Sequence, residues 1–101
     1  MTEQGPMTEA MYYILLALTR PGYGYGMMQR IRELSQGRIE MGPGTLYGVL
    51  TRMTKDGLIV LTGADGRRKN YEITPAGRAA LLAEYRRLQD MVRDGGFLEV
   101  D

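Results

Sequence analysis

Residues 42–58 read G-P-G-T-L-Y-G-V-L-T-R-M-T-K-D-G-L and predict one short helix. Pro43 suits the first helical position, where its missing N–H costs nothing, and Gly57 suits the left-handed residue that follows a helix end. Apolar residues recur at helical spacing along one side, namely Leu46, Val49, Leu50 and Met53. The stretch therefore predicts an amphipathic helix that buries this side and exposes the other.

The exposed side of this helix has the composition of a DNA-reading surface. It carries hydrogen-bonding side chains and cations, and no carboxylate occurs before Asp56. At ~1.5 Å per residue the helix is about 20 Å long, which is enough to lie in a major groove. We interpret it as a recognition helix whose first amides, at Gly44 and Thr45, attract a phosphate. The candidate DNA-binding residues of this helix are Gly44, Thr45, Tyr47, Gly48, Thr51, Arg52 and Lys55.

The glycine at position 48 has two explanations that the sequence leaves open. A glycine inside a helix costs roughly 0.5–1 kcal/mol relative to alanine, so its presence needs a reason. Gly48 gives room either for close approach of the helix backbone to DNA or for close packing against a neighbouring helix.

Composition limits the class of protein. A chain of 101 residues suits one domain, and its hydrophobic and charged fractions, 44% and 25%, are ordinary for a globular protein. The chain has no cysteine and no histidine, which removes the disulfide framework, the commonest general base and the commonest metal ligand. We therefore expect no enzyme, no metal and no cofactor. The polar N-terminus and the shortness of the apolar run at 14–18 lead us to expect a cytoplasmic protein.

Two more helices are predicted before the recognition helix. After a disordered tail expected at 1–7, Thr8 suits an N-cap, and the helix behind it is apolar on most of its circumference. The glycine-rich stretch 22–26 lacks the lysine of a P-loop and predicts a turn. The second helix, at about 25–35, is expected to bury Met27 or Met28, Ile31 and Leu34. This order of elements predicts a helix-turn-helix.

A cationic hairpin is predicted after the recognition helix. Residues 58–62 and 70–74 have strand patterns, and the Asp65-Gly66 turn would pair Ala64 with Arg67 and Val60 with Tyr71. Residues 51–73 contain five basic and three acidic residues, so the positive charge gathers around this helix and the hairpin. In this position the hairpin predicts the wing of a winged helix, and a solvated charged turn is the alternative. The candidate phosphate or minor-groove contacts are Arg67, Arg68 and Lys69.

The last helix carries an apolar stripe that a three-helix core with a wing does not need. Thr74 suits its N-cap, Pro75 suits its first position, and the helix is expected to end near Arg93. The stripe predicts a homodimer, and the alternative is that it folds back on the first helix of its own chain. The candidate dimerisation residues are Leu15, Leu81, Leu82, Tyr85, Leu88 and Val92.

The predicted fold is therefore mainly α with a small β-hairpin. It consists of a winged helix-turn-helix at 8–73, a dimerisation helix at 74–94 and a tail at 95–101 that we do not place. Two-fold symmetry of a dimer would give a pseudo-palindromic DNA site with half-sites about one or two helical turns apart. The alternative function is a winged-helix protein-interaction module that uses the same surface without binding DNA.

The sequence resembles the PadR-like family of winged helix-turn-helix transcriptional regulators, in the compact branch with a single C-terminal helix. The resemblance is carried, in order, by G-Y-G at 24–26, G-P-G-T-L-Y-G-V-L at 42–50, K-D-G-L-I at 55–59 and Y-E-I-T-P-A-G at 71–77. Many relatives carry a glutamate where this chain has Thr54, which makes the end of the recognition helix more cationic here.

This resemblance implies a homodimeric DNA-binding regulator, usually a repressor, with the C-terminal helix in the dimer interface. It also implies a response to small aromatic compounds, which some family members bind in a cavity between their subunits. The candidate residues for such an effector pocket are Tyr12, Tyr13, Tyr85 and Phe97. Ordinary core or interface packing is the alternative role for these side chains.

Overall fold

The computed structural model describes residues 7–65 and 68–100, without the side chains of residues 64–68. Its elements, in chain order, are α1 (Glu9–Ala17), β1 (Gly22–Tyr23), α2 (Gly24–Leu34), α3 (Pro43–Lys55), β2 (Ile59–Asp65), β3 (Arg68–Ile73), α4 (Pro75–Asp94) and the 3-10 turn η1 (Gly96–Glu99). The architecture is a winged helix-turn-helix followed by a long helix, which confirms the predicted fold class. Residues 1–6 of the predicted tail lie outside the described residues, and Met7 packs partly buried against the core.

The core lies between α1, α2 and α3. Its fully buried side chains include Ile14, Leu15, Leu18, Met27, Ile31, Leu46, Leu50 and Met53. Met27 is the buried methionine of the predicted pair, whereas the expectation for Leu34 is wrong, since that side chain is 44% exposed at the end of α2. Leu15 has no exposed surface because α1 is covered by α2, α3 and α4, so its assignment to a dimer surface is also wrong.

The sheet has one more strand than the sequence predicted. Its order is β1-β3-β2, and Gly22 of the expected turn pairs antiparallel with Tyr71. The hairpin register also differs from the prediction, by one residue where Tyr71 pairs with Leu61 and by two nearer the tip, where Arg68 pairs with Asp65. An irregularity between Leu61 and Gly63 shifts the register, and a bulge of this kind is not visible in an alternating sequence pattern.

A hydrogen-bonded junction fixes the start of α4 against the end of α3. The backbone N–H of Thr74 donates to the Leu58 carbonyl at 3.1 Å, and its hydroxyl donates to the Gly57 carbonyl at 2.7 Å. The same hydroxyl caps α4 by accepting from the Gly77 N–H at 3.0 Å. Gly57 has φ +80°, as predicted for the residue that follows the helix. The recognition helix and the C-terminal helix are therefore joined rigidly through Thr74.

A buried carboxylate joins α4 to the beginning of α1. Glu84 is only 9% exposed and accepts from Arg87 Nε at 3.0 Å and Nη2 at 2.6 Å. The hydrogen bonds from Arg87 hold the pKa of Glu84 below its usual value, against the effect of burial, and the Met7 backbone N–H contributes further. The ion pair thus keeps Glu84 charged where α4 packs on α1.

Glu84→Gln is expected to make the protein less stable at neutral pH and less sensitive to acid. The lowered pKa means that Glu84 stabilises the fold above its unfolded-state pKa, and that this contribution is lost as pH falls through the folded-state pKa. Because Arg87 is partly exposed, the contribution is about 1 kcal/mol. Urea unfolding at pH 7 and at pH 3.5 measures it, and an equal difference between variant and wild type at both pH values contradicts it.

Candidate nucleic-acid interface

The outer side of α3 is an exposed polar and cationic surface. Leu46, Leu50 and Met53 point into the core, and the side chains on the opposite side of the helix face solvent. The exposed residues of this side are Gly44, Thr45, Gly48, Thr51, Arg52 and Lys55. Within the described residues, neither Arg52 nor Lys55 has a carboxylate within ion-pair distance. Both cations therefore remain available to an anionic partner.

The beginning of α3 is also open to a partner. Its N-cap is Gly42, which has no side chain to accept a hydrogen bond, and Pro43 follows at the first helical position. Gly44 and Thr45 come next and are exposed. Free amides at a helix start, together with the positive end of the helix dipole, favour a phosphate or carboxylate at this position.

Gly48 does not contact a neighbouring helix. A Cβ built on this residue meets no atom within 4 Å among the described residues, and the position is exposed. The close-packing explanation for this glycine is therefore wrong. Close approach of the helix backbone to a partner remains as its explanation.

Tyr47 differs from the other predicted DNA-binding residues. Its ring is 40% exposed, and its hydroxyl end lies directly on Gly24, the first residue of α2. Burial raises the pKa of Tyr71 in β3, and Tyr47 raises it further. Sequence reasoning missed the role of Gly24, although the G-Y-G pattern at 24–26 marked the position.

The connector between α2 and α3 is held by a buried serine that sequence reasoning also missed. Ser35 is 2% exposed, donates to the Arg32 carbonyl at 3.3 Å and accepts from the Ile39 N–H at 3.0 Å. Gln36 and Gly37 have positive φ, at 54° and 82°, which turns the chain. These contacts fix the position from which α3 starts.

The predicted wing is only partly described. Lys69 is exposed on β3, and the backbone of Arg68 pairs with Asp65. Arg67 lies outside the described residues, and the Arg68 side chain is likewise not described. The hairpin follows α3 after three residues, and α3 packs on β2, so the wing begins beside the end of the recognition helix.

The predicted effector residues do not form one pocket. Tyr12 lies between two surface cavities, one of about 410 Å³ lined with Tyr85 and Val92, and one of about 320 Å³ lined with Tyr13 and Glu84. The Tyr12 and Tyr13 rings meet edge to face, with centroids 5.7 Å apart. Burial raises the pKa of Tyr12, with smaller contributions from Tyr85, Tyr13 and Glu84. Phe97 lines neither cavity and is 71% exposed on η1.

An apolar surface runs along α4 and η1. Leu81 is buried in the core, and its prediction as a dimer contact is wrong because its side chain packs within the chain. Leu88 is partly buried, and the other predicted residues of α4 are exposed, namely Leu82, Tyr85 and Val92. The exposed apolar residues of α4 and of the segment after it are Leu82, Tyr85, Met91, Val92, Phe97, Leu98 and Val100. Leu82, Tyr85 and Val92 lie on one side of α4, and exposed apolar side chains grouped in this way are typical of an interaction surface.

No helix in the part of the chain that the structure describes is long and apolar enough to cross a membrane. The same residues contain no cluster of acidic side chains arranged to hold a metal ion.

The sequence of this chain is similar to one family of known proteins. The model of the transcriptional regulator PadR-like family matches residues 14–83. The transcriptional regulator Rv3488 of Mycobacterium tuberculosis is 46% identical over 66 residues, and the matched region covers 62% of this chain and 62% of that protein.

Solved structures show the same fold. A PadR-like transcription factor from Bacteroides fragilis has a TM-score of 0.65 and 29% identity, and the match covers 83% of this chain and 86% of that chain. Bacillus subtilis PadR in complex with operator DNA has a TM-score of 0.67 and 24% identity, with 79% of this chain and 48% of that chain covered.

Proposed function

Because this chain belongs to the PadR-like family of transcriptional regulators, we propose that it binds double-stranded DNA through α3 and the wing. The observation that carries the proposal is the outer side of α3, which exposes Arg52 and Lys55 with no acidic partner among the side chains that the structure describes. A protein of the same fold, Bacillus subtilis PadR, has been solved with operator DNA, which supports this use of the fold.

In this proposal α3 lies in the major groove. Thr45, Thr51 and Arg52 face base edges, and the exposed amides of Gly44 and Thr45 hold a phosphate at the helix start. Gly48 lets the helix backbone approach the DNA, which agrees with the open space around its Cα. Lys55 adds attraction that does not depend on base sequence.

The wing grips the DNA backbone beside the recognition helix. Lys69 is exposed at the start of the returning strand, and Arg67 and Arg68 precede it in the sequence. Cations at this place contact phosphates or enter the adjacent minor groove.

We further propose that the protein acts as a homodimer and represses transcription. The exposed apolar surface of α4 supports self-association, because a two-fold axis gives each copy an identical surface to cover. The operator is then pseudo-palindromic, with half-sites ~10 or ~20 bp apart. This function places the protein in the cytoplasm, and an operator-bound dimer excludes other proteins from the same DNA.

One feature of this chain supports regulation by a small aromatic effector that releases the repressor from DNA. The cavity of about 410 Å³ beside Tyr12 and Tyr85 adjoins the exposed stripe of α4, where a second subunit would close it. Cavities of a few hundred cubic ångströms lined by aromatic side chains suit ligands of this size.

A titration of the DNA upstream of the protein's own gene, at several salt concentrations, tests the proposal. DNA binding through phosphates predicts an affinity that falls linearly with the logarithm of salt concentration. A panel of aromatic compounds in the same assay tests release. Absence of salt-sensitive binding, with binding of a protein through the α3 surface, would favour the interaction module instead.

Replacing Arg67 and Arg68 together with alanine is expected to weaken binding to all DNA sequences alike. Each lost phosphate contact lowers the salt slope by about 0.9, so the pair lowers it by roughly 2 per wing. The variant Arg86→Ala removes an exposed cation from α4, at a residue that lines neither of the two cavities, and serves as the control. A slope equal to that of wild type would mean that the hairpin tip is only a solvated turn.

A further inference from the structure

Tyr47 is seated in a space that exists only because residue 24 is glycine. A Cβ on Gly24 would overlap the Oη and Cζ atoms of Tyr47 and would lie 3.4 Å from its Cε1. Gly24 is buried, although it is the first residue of α2. The hydroxyl end of the ring therefore rests on the backbone at the start of the neighbouring helix.

The contact at Gly24 lies beside the sheet, because Gly24 directly follows β1. Tyr71 is 7% exposed in the central strand β3, where it pairs with Leu61 on one side and with Gly22 on the other. Tyr47 adds to the effect of burial in raising the pKa of Tyr71, which agrees with this placement. Because Gly22 belongs to β1 and Gly24 begins α2, one side chain of α3 lies against α2 close to the sheet that carries the wing.

The other glycines nearby are not involved. A Cβ built on Gly26, two residues further along α2, meets no described atom within 4 Å, and the same holds for Gly48 on α3. Of these three glycines, only Gly24 lies against a side chain of α3.

We propose that Tyr47 is a positioning residue, which fixes the angle of α3 relative to α2 and the wing through its ring on Gly24, and that its hydroxyl does not read DNA. This inference deepens the proposed DNA-binding function and rests on it. It corrects the sequence interpretation, which grouped Tyr47 with the base-contacting residues of the same helix.

The consequence for DNA binding is a separation between specific and non-specific affinity. The bases are read by Thr45, Thr51 and Arg52, whose placement depends on the angle of α3, whereas the phosphate attraction of the cations depends little on it. Loss of the Tyr47 seat therefore lowers the preference for the operator over random DNA. The salt slope stays unchanged, because no phosphate contact is removed.

The test compares four single variants, Tyr47→Phe, Tyr47→Ala, Gly24→Ala and the matched control Gly26→Ala, and one double variant. Tyr47→Phe and Gly26→Ala are expected to keep operator affinity within about twofold, whereas Tyr47→Ala and Gly24→Ala lose about tenfold in operator preference, as loss of one base contact does. The double variant Gly24→Ala with Tyr47→Ala is expected to lose no more operator preference than Tyr47→Ala alone, because the two substitutions remove the same contact. Tenfold weaker binding by Tyr47→Phe, or a Gly24→Ala variant that binds like Gly26→Ala, overturns the proposal.

A measurement without DNA separates this proposal from the proposed function. In protein labelled with fluorotyrosine, Gly24→Ala is expected to shift the fluorine resonances of Tyr47 and Tyr71, whereas Gly26→Ala leaves both in place. An unshifted Tyr47 resonance in Gly24→Ala contradicts the proposed contact between the Tyr47 ring and Gly24, even if DNA binding is normal. Wild-type protein that lacks salt-sensitive DNA binding contradicts the proposed function instead, and with it the role of the seat in DNA reading. If Gly24→Ala fails to fold, Tyr47→Phe against Tyr47→Ala still decides whether the hydroxyl or the ring matters.

Discussion

Gly77→Ala is expected to lower the free energy of unfolding by about 3 kcal/mol, at the upper end for overpacking a closed site. A Cβ on Gly77 would overlap the carbonyl oxygen of Leu58, would lie 2.9 Å from its carbonyl carbon, and would be 3.0 Å from Cγ1 of Ile73. Two of these atoms belong to the backbone, so no side-chain rotation relieves the overlap. The hydrogen bonds of Thr74 to the carbonyls of Gly57 and Leu58 hold the two chain segments together at the same place.

The matched control is the same substitution in α3. Gly48 is exposed in the middle of a helix, and a Cβ there meets no described atom within 4 Å. Gly48→Ala is therefore expected to raise the free energy of unfolding by about 0.5–1 kcal/mol, since alanine is the better helix former. Urea unfolding of both variants gives opposite signs, and a Gly77→Ala variant as stable as wild type would show that α4 shifts freely against α3.

Local signals explain why the recognition helix was predicted well. Pro43 fixes the start of α3, and Gly57, which has φ +80°, marks its end. Residues of the segment itself therefore determine both boundaries. The apolar spacing of Leu46, Leu50 and Met53 then identifies the buried side. The candidate site on α3 follows from the remaining side, with Tyr47 as the exception.

Contacts between distant segments explain what the sequence did not reveal. Gly22 has the chemistry of a turn, and its pairing with Tyr71 depends on a strand that comes much later in the chain. Gly24 and Gly77 are equally ambiguous in sequence, because only the structure shows that Tyr47 and Leu58 fill the space beside them. A glycine in a sequence pattern indicates that a larger side chain does not fit at that position, but it does not identify the neighbouring atoms that exclude one.

The apolar stripe of α4 shows the same limit. Helical periodicity identifies a stripe, but it does not say which part of its length packs within the chain and which part is free. Leu81 and Val92 lie within ~20° of each other around α4 but ~16 Å apart along it. Leu81 is 8% exposed where the helix packs on the core, whereas Val92 is 74% exposed near the C-terminal end. Glu84, three residues after Leu81, is also buried, and Arg87 pairs with its charge. The division between core and exposed surface therefore needed the packing of α1 against α4.

Val92→Glu is expected to convert the proposed dimer to a monomer and to weaken operator binding by about 10²–10⁴-fold. A charge inside a dimer interface costs its desolvation, whereas in a free chain the same side chain is fully hydrated, so the substitution acts on assembly and leaves the fold intact. In a dimer the second half-site is bound at a high effective concentration, and this gain accounts for the expected loss. Light scattering after size-exclusion chromatography, together with an operator titration, measures both effects.

Ala83→Glu is the control, because this substitution adds the same charge at an exposed residue of α4. Ala83 lies about 200° around the helix from Tyr85. It is expected to remain dimeric and to bind the operator like wild type. On a duplex that contains only one half-site, Val92→Glu and wild type should bind equally, since α3 and the wing are unchanged. A Val92→Glu variant that stays dimeric would move the interface away from this part of α4. A monomer that keeps full operator affinity would show that each chain reads its DNA alone, and the pseudo-palindrome would then have no structural basis.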